Sequence, residues 1–457
     1  MHKRTGIAGR ACWLVPALFA LSLAACGGGS SGGGASSTSY TVSGAVAGLA
    51  SGQSLQLLNN GAGALTVSAN GGFAFAQKVS AGGSYAVTVD SQPGGQYCSV
   101  TNGSGASVHA DVSDVAVDCT SMHVYDLNHT GGTVSEFAVG SSGALTPLSP
   151  ASVPGVLSNT PDATLAIGPS GTDVYIPDSG QNSVYQYTIG SGGVLAPMSP
   201  ASAPVGKYDG FSPYAMAFDP AAPYAYAVDS LAGTVTEFTV ASSGGVSAVN
   251  TPAIAAGSDP VAIAVDPTGH HVYVSEQGSN AIGQYTIGSG GVLTPMSPAS
   301  VPAGAKPNGL AIDATGTHLY VTELNSASVS QFSIGNNGAL TPMSTSTVSS
   351  CVSPVLIALD PAASYAYVDC GSTAASIEEY SVGSNGSLLA LSPASVATGP
   401  YPFDLAIDPA GRYLYASSAG SANALYQYLI GSNGQLTPMS TASVPAGTEP
   451  QGIVIGP

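Results

Sequence analysis

The sequence predicts an all-β protein: a seven-bladed β-propeller preceded by a small immunoglobulin-like β-sandwich domain. Sixty glycines and 32 prolines among 457 residues indicate a chain with many turns. A hydrophobic content of 44% excludes a disordered chain. After residue 120 a unit of about 47 residues recurs seven times, each with four short apolar runs, which is the pattern of propeller blades.

The repeat is anchored by a tyrosine within an apolar triplet, as in Val272-Tyr273-Val274. From one such tyrosine to the next the spacings are 50, 51, 47, 47, 47 and 48 residues. The seven anchors are Tyr125, Tyr175, Tyr226, Tyr273, Tyr320, Tyr367 and Tyr415.

The copy around Tyr273 predicts four strands, a to d, at 261–265, 271–275, 281–287 and 292–296. Strand d contains a proline in this copy and in four others: Pro147, Pro197, Pro295, Pro342 and Pro438. Strand d is the outermost strand of a blade, and proline there blocks edge-to-edge pairing with another chain.

The two ends of the repeat complement each other. The first copy begins at Met122 without a strand a, and the chain ends on a strand-a segment, 450–455, that no further strand follows. We therefore expect the C-terminal strand to complete the first blade and to close a propeller that spans 121–457.

The segment 39–120 does not match the repeat. It contains short alternating stretches, such as Tyr85–Val89, separated by Gly and Asn clusters. This pattern predicts a small β-sandwich of immunoglobulin-like type. We expect it to act as a spacer between the membrane and the propeller.

Residues 1–25 have the features of a signal peptide. An apolar run up to Ala25, too short to span a bilayer comfortably, follows three basic residues, which are Lys3, Arg4 and Arg10. A Gly/Ser tether at 26–38 comes next.

The segment Leu23-Ala24-Ala25-Cys26 resembles the bacterial lipobox, which implies a lipid anchor on Cys26. The alternative is an ordinary secretory signal with a chance cysteine. Gly27 is not Asp, and by resemblance to Gram-negative sorting rules this favours the outer membrane. We expect a cell-envelope lipoprotein, facing the periplasm or the cell surface, that contacts the membrane through Cys26.

Charge is sparse and acidic. Beyond residue 25 the chain has 25 acidic residues and four basic ones, a net charge of −21; the basic residues are Lys78, Lys207, Lys306 and Arg412. Nucleic acids and bare anionic lipid surfaces require basic clusters, so neither is an expected partner.

The sequence contains six cysteines. Cys12 lies in the signal peptide and Cys26 is the predicted anchor. The other four form two local couples: Cys98 with Cys119, and Cys351 with Cys370. In an exported protein such pairs predict disulfides. Zinc is the weaker interpretation, because no CxxC motif or histidine cluster accompanies them. The sequence predicts no metal site and no cofactor.

Blade geometry supports the second pair. Cys351 precedes a strand a and Cys370 follows the strand b that is its antiparallel neighbour. Facing Cα atoms of such strands lie ~4.5–5.5 Å apart, within disulfide range. In the preceding blade Glu323 and Lys306 occupy the matching corner, which suggests an ion pair there.

The copies Val272-Tyr273-Val274-Ser275-Glu276 and Leu319-Tyr320-Val321-Thr322-Glu323 resemble the YVTN repeat, as do the Asp-Pro-x-Gly turns and the Gln-Tyr-x-Ile-Gly segments. Together they resemble the lactonase-type seven-bladed propeller family, which includes 6-phosphogluconolactonase-like and muconate cycloisomerase-like proteins. The resemblance covers about 122–457. It implies a central cleft in which basic residues, a histidine and a carboxylate bind an anionic lactone.

This sequence departs from that implied site. Its d–a loops contain no histidine, and their only basic residues are Lys207 and Lys306. No catalytic residue can therefore be transferred from the family.

In a propeller the d–a and b–c loops share one face, which we call the loop face. The position after strand b carries a carboxylate in four successive blades, at Asp178, Asp229, Glu276 and Glu323. These residues could bind a cation or sugar hydroxyls. The favoured interpretation is a repeat-encoded turn residue that faces water.

The loop 204–213 is four residues longer than its counterpart at 302–307 and contains Lys207, Tyr208 and Asp209. Such an insertion on the loop face is either a ligand-binding loop or a tolerated surface insertion. With Lys306 and the four carboxylates, these three residues form the predicted ligand-binding set.

The remaining polar motifs are interpreted as structural. Aspartates recur beside proline in the a–b turns, where their side chains bond backbone amides. His270, His271 and His318 follow these turns, and His129 is the single histidine near the loop face. No P-loop, Rossmann, HExxH, GxSxG or EF-hand motif is present.

The sequence thus favours a lipid-anchored cell-envelope protein, monomeric, that acts as a binding or scaffold module for an envelope protein, a glycan or a small molecule. The alternative is a lactone hydrolase of the 6-phosphogluconolactonase-like type, and a third interpretation is a structural protein without a small ligand.

Overall fold

The computed structural model describes residues 38–154, 164–205, 213–249, 253–371 and 375–457. The signal peptide, the tether residues 26–37, Cys26 and the predicted loop residues Lys207, Tyr208 and Asp209 lie outside these ranges. Within them the one helix is a 3-10 turn at Ser289–Gly291. No helix of the described ranges is long and apolar enough to cross a membrane.

The propeller prediction is confirmed: seven four-stranded antiparallel sheets, one with an extra short strand, follow the small domain. Strands a of blades 1 to 7 are Pro450–Gly456, Ala166–Ile167, Pro213–Phe218, Pro260–Val265, Pro307–Ile312, Pro354–Leu359 and Pro402–Ile407. Strands b are His123–Asn128, Asp173–Asp178, Tyr224–Asp229, His271–Glu276, His318–Glu323, Tyr365–Cys370 and Tyr413–Ser418. Strands c are Thr133–Val139, Ser183–Ile189, Thr234–Val240, Ala281–Ile287, Ser328–Ile334, Ser376–Val382 and Ala424–Ile430. Strands d are Leu145–Pro154, Leu195–Pro204, Val246–Ala248, Leu293–Pro302, Leu340–Ser349, Leu388–Ala397 and Leu436–Pro445, and Ile254–Ala255 also pairs with strand c of blade 3.

The ring closes through the C-terminal strand. It pairs with strand b of blade 1 from His123↔Gly456 to Asn128↔Pro450. Ile453 is 3% exposed there and joins the core between blades 7 and 1. Blade 1 is therefore built from both ends of the propeller segment.

Each anchor tyrosine joins its blade to the next. The hydroxyl of Tyr273 donates to the carbonyl of Gly338, in the c–d turn of the following blade, at 2.7 Å. All seven anchors make the equivalent bond, including Tyr415 of blade 7 to Gly143 of blade 1. A buried hydroxyl must find an acceptor, so this bond explains why the repeat keeps tyrosine rather than phenylalanine.

A second set of side chains makes the same connection from strand c. Glu136 Oε1 accepts the backbone N–H of Leu195, and Gln284 Oε1 accepts that of Leu340. Every blade carries such a Glu or Gln, which satisfies the amide at the start of the next strand d.

The small domain consists of two four-stranded sheets around one apolar core and a short two-stranded pair. Its strands, β1 to β10, are Ser39–Tyr40, Val42–Ala47, Leu55–Asn59, Ala62–Val67, Gly71–Ala74, Val79–Ser80, Tyr85–Ser91, Gln96–Thr101, Ser104–Gly105 and Val112–Ser121. The sheets have the orders β5-β2-β10-β8 and β4-β3-β7-β9. Its immunoglobulin-like type stays a prediction.

Arg412 joins the two domains. It lies in the a–b turn of blade 7, where Asp408 Oδ2 accepts from its Nε. Its remaining nitrogens donate to the carbonyls of Gln92, Pro93 and Gln96 at 2.8–3.3 Å. The small domain therefore packs against the a–b turns, on the side of the propeller opposite the loop face.

Both cysteine couples form disulfides. Cys98 and Cys119 face each other on β8 and β10. Cys351 and Cys370 join the start of strand a to the end of strand b in blade 6, with Cα atoms 5.9 Å apart. Loop-closure entropy assigns the second bond roughly 3 kcal/mol of stability.

Candidate functional site

A cavity of about 580 Å³ occupies the centre of the ring. Residues from strand a of all seven blades, or from just before it, form its wall. Asp259, from a d–a loop, and Gln277 and Leu324, from b–c loops, also line it, so the cavity extends toward the loop face. Concave sites of this size with a few convergent polar groups are the usual ligand sites of enzymes.

Asp404 is the carboxylate of strand a that lines this cavity. Its Oδ1 accepts the N–H of Leu405 at 2.7 Å, and its Oδ2 accepts the N–H of Ile453, in blade 1, at 3.0 Å. Burial raises the pKa of Asp404 from 3.8 to about 7, and the two amide bonds counteract this rise only in part. The group therefore exchanges a proton near neutral pH, as a general base or acid must.

Two further carboxyls lie near Asp404 and are completely buried. Asp126 faces Ile453 across the closing strand pair, and neither of its oxygens has a hydrogen-bond partner within the described ranges. Asp369, on strand b of blade 6, accepts the N–H of Leu356. Burial raises the pKa of both groups well above 3.8, and the charge on Asp404 raises both further.

These three acids were missed by the sequence reasoning, although a signal existed. Each is an aspartate inside a strand whose other copies are mostly apolar or hydroxylic at that position, as in Pro402-Phe403-Asp404-Leu405 beside Pro260-Val261-Ala262-Ile263. A charged residue in a predicted buried strand requires a reason, and for Asp404 the reason is the cavity that it lines.

Amide side chains provide further polar groups on the cavity wall. Gln277, Asn308 and Gln451 line the cavity, and Gln277 Nε2 donates to Asn308 Oδ1 at 2.7 Å. The charged residues of the described wall are Asp259 and Asp404, and this part of the wall contains no Lys, Arg or His. The described wall suits an uncharged, hydroxyl-bearing ligand.

The favoured interpretation required the four carboxylates at the ends of strands b to face water, and they do not. Asp178, Asp229 and Glu323 are 0% exposed and Glu276 is 4% exposed. Strand b is buried along its length, so these side chains turn inward and bond free backbone amides of the neighbouring turns and loops. Glu276 Oε1, for example, accepts the N–H of Gly257 at 2.9 Å.

Lys306 is exposed at the rim of the loop face and has a left-handed backbone, with φ +57°. The expected ion pair with Glu323 is not among the ion pairs of the described residues. Instead the Glu323 carboxylate accepts from the N–H of Gly304 and the hydroxyl of Ser330. Both of these bonds reach Oε1, and Oε2 has no hydrogen-bond partner within the described ranges.

The histidines behave as turn and rim residues. Nδ1 of His271 lies 2.9 Å from Asp266 Oδ2, and Nδ1 of His318 lies 2.7 Å from Asp313 Oδ2, both in a–b turns. His129 lies 3.3 Å from Glu449 at the loop face. None of these lines the described cavity wall.

The buried acids predict a pH-dependent stability. A carboxyl with a raised pKa keeps its proton in the folded state at a pH where the unfolded chain has lost it. The folded state then binds more protons, so the free energy of unfolding falls as pH rises from about 4 through 7. Between pH 5 and pH 8 we expect the melting temperature to fall by about 5 °C, measured by differential scanning calorimetry.

An Asp126→Asn variant is the matched control, because it replaces one buried titratable carboxyl by a neutral amide of the same size. Its melting temperature should vary less over this pH range. The groups whose pKa values are lowered in the folded state, Asp266, Asp313, His123 and Glu449, are common to parent and variant, so they do not obscure the comparison. Asp266 has a pKa of about 2, because hydrogen bonds from His271, His270 and Thr268 outweigh its burial, and it therefore acts below the range. Burial lowers the pKa of His123 in parent and variant alike. Equal slopes for both proteins would contradict the prediction.

Comparison with known proteins gives a family match and several structural likenesses for this chain. The family described as "Lactonase, 7-bladed beta-propeller" matches residues 59–359. Among solved structures, a putative 6-phosphogluconolactonase from Bacteroides fragilis is 18% identical with a TM-score of 0.63, over 74% of this chain and 98% of that one. The periplasmic gluconolactonase of Pseudomonas aeruginosa is 17% identical with a TM-score of 0.59, over 74% and 99%. At such identities the structural likeness shows the fold alone, and no curated protein matches the chain.

Proposed function

Because the chain belongs to the lactonase family of seven-bladed β-propellers, we propose that it hydrolyses a lactone in the central cavity, with Asp404 as the general base. The observation that carries this proposal is a cavity-lining carboxyl whose pKa is about 7. Family membership supports hydrolysis better than the binding or scaffold role that the sequence favoured.

In the proposed reaction the Asp404 carboxylate takes a proton from a water molecule while the water oxygen attacks the lactone carbonyl carbon. The tetrahedral intermediate then collapses, and its ring C–O bond breaks. The protonated Asp404 returns the proton to the leaving alkoxide, which yields the open hydroxy acid. General-base assistance of this kind typically contributes 10²–10⁴-fold to the rate.

The substrate we propose is an uncharged sugar lactone rather than a phosphorylated one. Asp259 and Asp404 would repel a phosphate group, and the described wall offers no cation to compensate. The amides of Gln277, Asn308 and Gln451 can instead bond ring hydroxyls.

The test compares δ-gluconolactone with its 6-phosphate ester, using a proton-release assay corrected for spontaneous hydrolysis. We expect kcat/KM for the uncharged lactone to exceed that for the phosphate ester by at least about tenfold, the effect of one unfavourable charge contact. Absence of hydrolysis with both compounds would exclude the proposed function, and a preference for the ester would refute the charge argument alone.

We also propose that Cys26 carries a lipid anchor that places the enzyme in the cell envelope, at the outer membrane. The lipobox and the Gly/Ser tether support this proposal. The small domain lies on the side opposite the loop face, so the anchor would leave the cavity entrance accessible. A Cys26→Ser variant should lose membrane association in cell fractionation, and a mature N-terminus at another residue would contradict the anchor.

A further inference from the structure

A ring fills the junction between neighbouring blades on the a–b turn side in six of seven cases. The first residue of strand b is an aromatic or imidazole side chain that packs against a glycine in the c–d turn of the next blade. The six pairs are His123/Gly193, Tyr224/Gly291, His271/Gly338, His318/Gly386, Tyr365/Gly434 and Tyr413/Gly143. A Cβ atom on any of these glycines would lie within 2.4 Å of the ring, so only glycine leaves room for it.

The junction between blades 2 and 3 lacks this ring. Asp173 takes the ring position, opposite Gly244. The substitution has a local cause: blade 2 has Gly168 where other a–b turns have an aspartate, and Asp173 accepts the turn hydroxyls of Ser170 and Thr172 instead. The glycine that receives a ring is therefore retained while the ring itself is absent.

A groove of about 880 Å³ lies at this junction. Asp173, Gly244 and the anchor Tyr175 line it, together with Asp219 from the a–b turn of blade 3. Its location on the a–b turn side separates it from the central cavity, with which it shares no lining residue.

Two carboxylates in the groove have acceptor capacity left over. Both hydrogen bonds to Asp173 reach Oδ2, and Oδ1 accepts none from the described chain. Asp219 is 1% exposed; its Oδ1 accepts the N–H groups of Ala221 and Ala222, but its Oδ2 has no hydrogen-bond partner in the described ranges. A buried acceptor without a donor favours a ligand that brings one.

We propose that this groove binds a small organic cation carrying one aromatic ring. The Asp173 carboxylate packs against Gly244, so the ring would lie farther out in the groove, beside the apolar side chains of Ile189 and Val240. The ammonium group would pair with Asp173 and Asp219. The negative charge of the groove comes from Asp173, which only blade 2 carries at this position, and from Asp219.

Tyramine is the probe, and tyrosol, which has a hydroxyl in place of the ammonium group, is its neutral match. Titration of the full mature protein is followed by calorimetry at pH 7. We expect saturable binding of tyramine and at least tenfold weaker binding of tyrosol. Asp173→Asn should reduce tyramine affinity about tenfold, to the level of tyrosol.

Asp173→Tyr restores the ring of the other blades and should abolish binding of both compounds while leaving the melting temperature and lactone hydrolysis unchanged. If that variant fails to fold, Asp173→Asn decides the matter. Absence of saturable tyramine binding, equal binding of tyrosol, or unchanged tyramine affinity in either folded variant would overturn the proposal.

Discussion

Replacing Asp404 with asparagine is expected to lower kcat/KM for lactone hydrolysis by about 10²–10⁴-fold, the usual contribution of a positioned general base. Asparagine keeps the size of the side chain and one oxygen acceptor for the amides of Ile453 and Leu405. It cannot take a proton from water. The measurement is the steady-state rate of acid release, with circular dichroism and a melting curve as checks of folding.

Asp259→Asn is the matched control, since Asp259 lines the same cavity but has no part in proton transfer in the proposed reaction. Its kcat/KM should stay within a few-fold of the parent. Activity of Asp404→Asn within about tenfold of the parent would show that the base lies elsewhere.

The pH dependence of lactone hydrolysis by the parent protein provides a second readout of the same residue. The base works in its ionised form, so the rate should rise about tenfold per pH unit below the pKa of about 7 and level off above it. Asp404→Asn should lose this titration. A merely structural aspartate would change the rate but not the shape of the profile.

Deleting residues 450–457 is expected to make the protein insoluble or to lower its melting temperature by more than about 10 °C. The deletion removes strand a of blade 1, which leaves the inner edge of strand b unpaired. It also removes the buried side chain of Ile453 from the core between blades 7 and 1. Apolar burial at ~25 cal/mol per Å² and lost backbone pairing together amount to several kcal/mol.

Deleting Pro457 alone is the control, because this residue lies beyond the strand. That variant should melt close to the parent. The comparison uses soluble yield and the melting temperature of the mature protein, and a truncated protein that melts like the parent would rule out closure by this strand.

The sequence by itself determined the architecture, because each blade repeats the same short-range pattern. The tyrosine spacing defines seven blades, and the strand order at the two ends of the repeat indicates where the ring closes. The disulfide of Cys351 and Cys370 was also predictable, since it depends only on two strands joined by one turn. These features depend on local periodicity, which a single sequence contains.

Tertiary structure decided which residues form the candidate site. Asp126, Asp369 and Asp404 belong to blades 1, 6 and 7, and ring closure brings Asp126 of blade 1 close to Asp404 of blade 7. The carboxylates at the ends of strands b show the reverse case, because the sequence aligns them and the structure gives each its own hydrogen-bond partner. Glu276 and Glu323 align in the repeat as a row, yet each accepts a separate backbone amide, that of Gly257 or Gly304 in the d–a loops.

The physical reason is that a repeat pattern specifies what all blades share, whereas a site is built from what single blades do differently. Asp173 illustrates this: its sequence position marks only a strand start, and its effect depends on the Gly244 backbone that faces it from the next blade. Burial and pKa likewise depend on neighbours distant in sequence, as for Asp404 beside Ile453. Local periodicity therefore determined the scaffold, and the packing of one blade against another decided its chemistry.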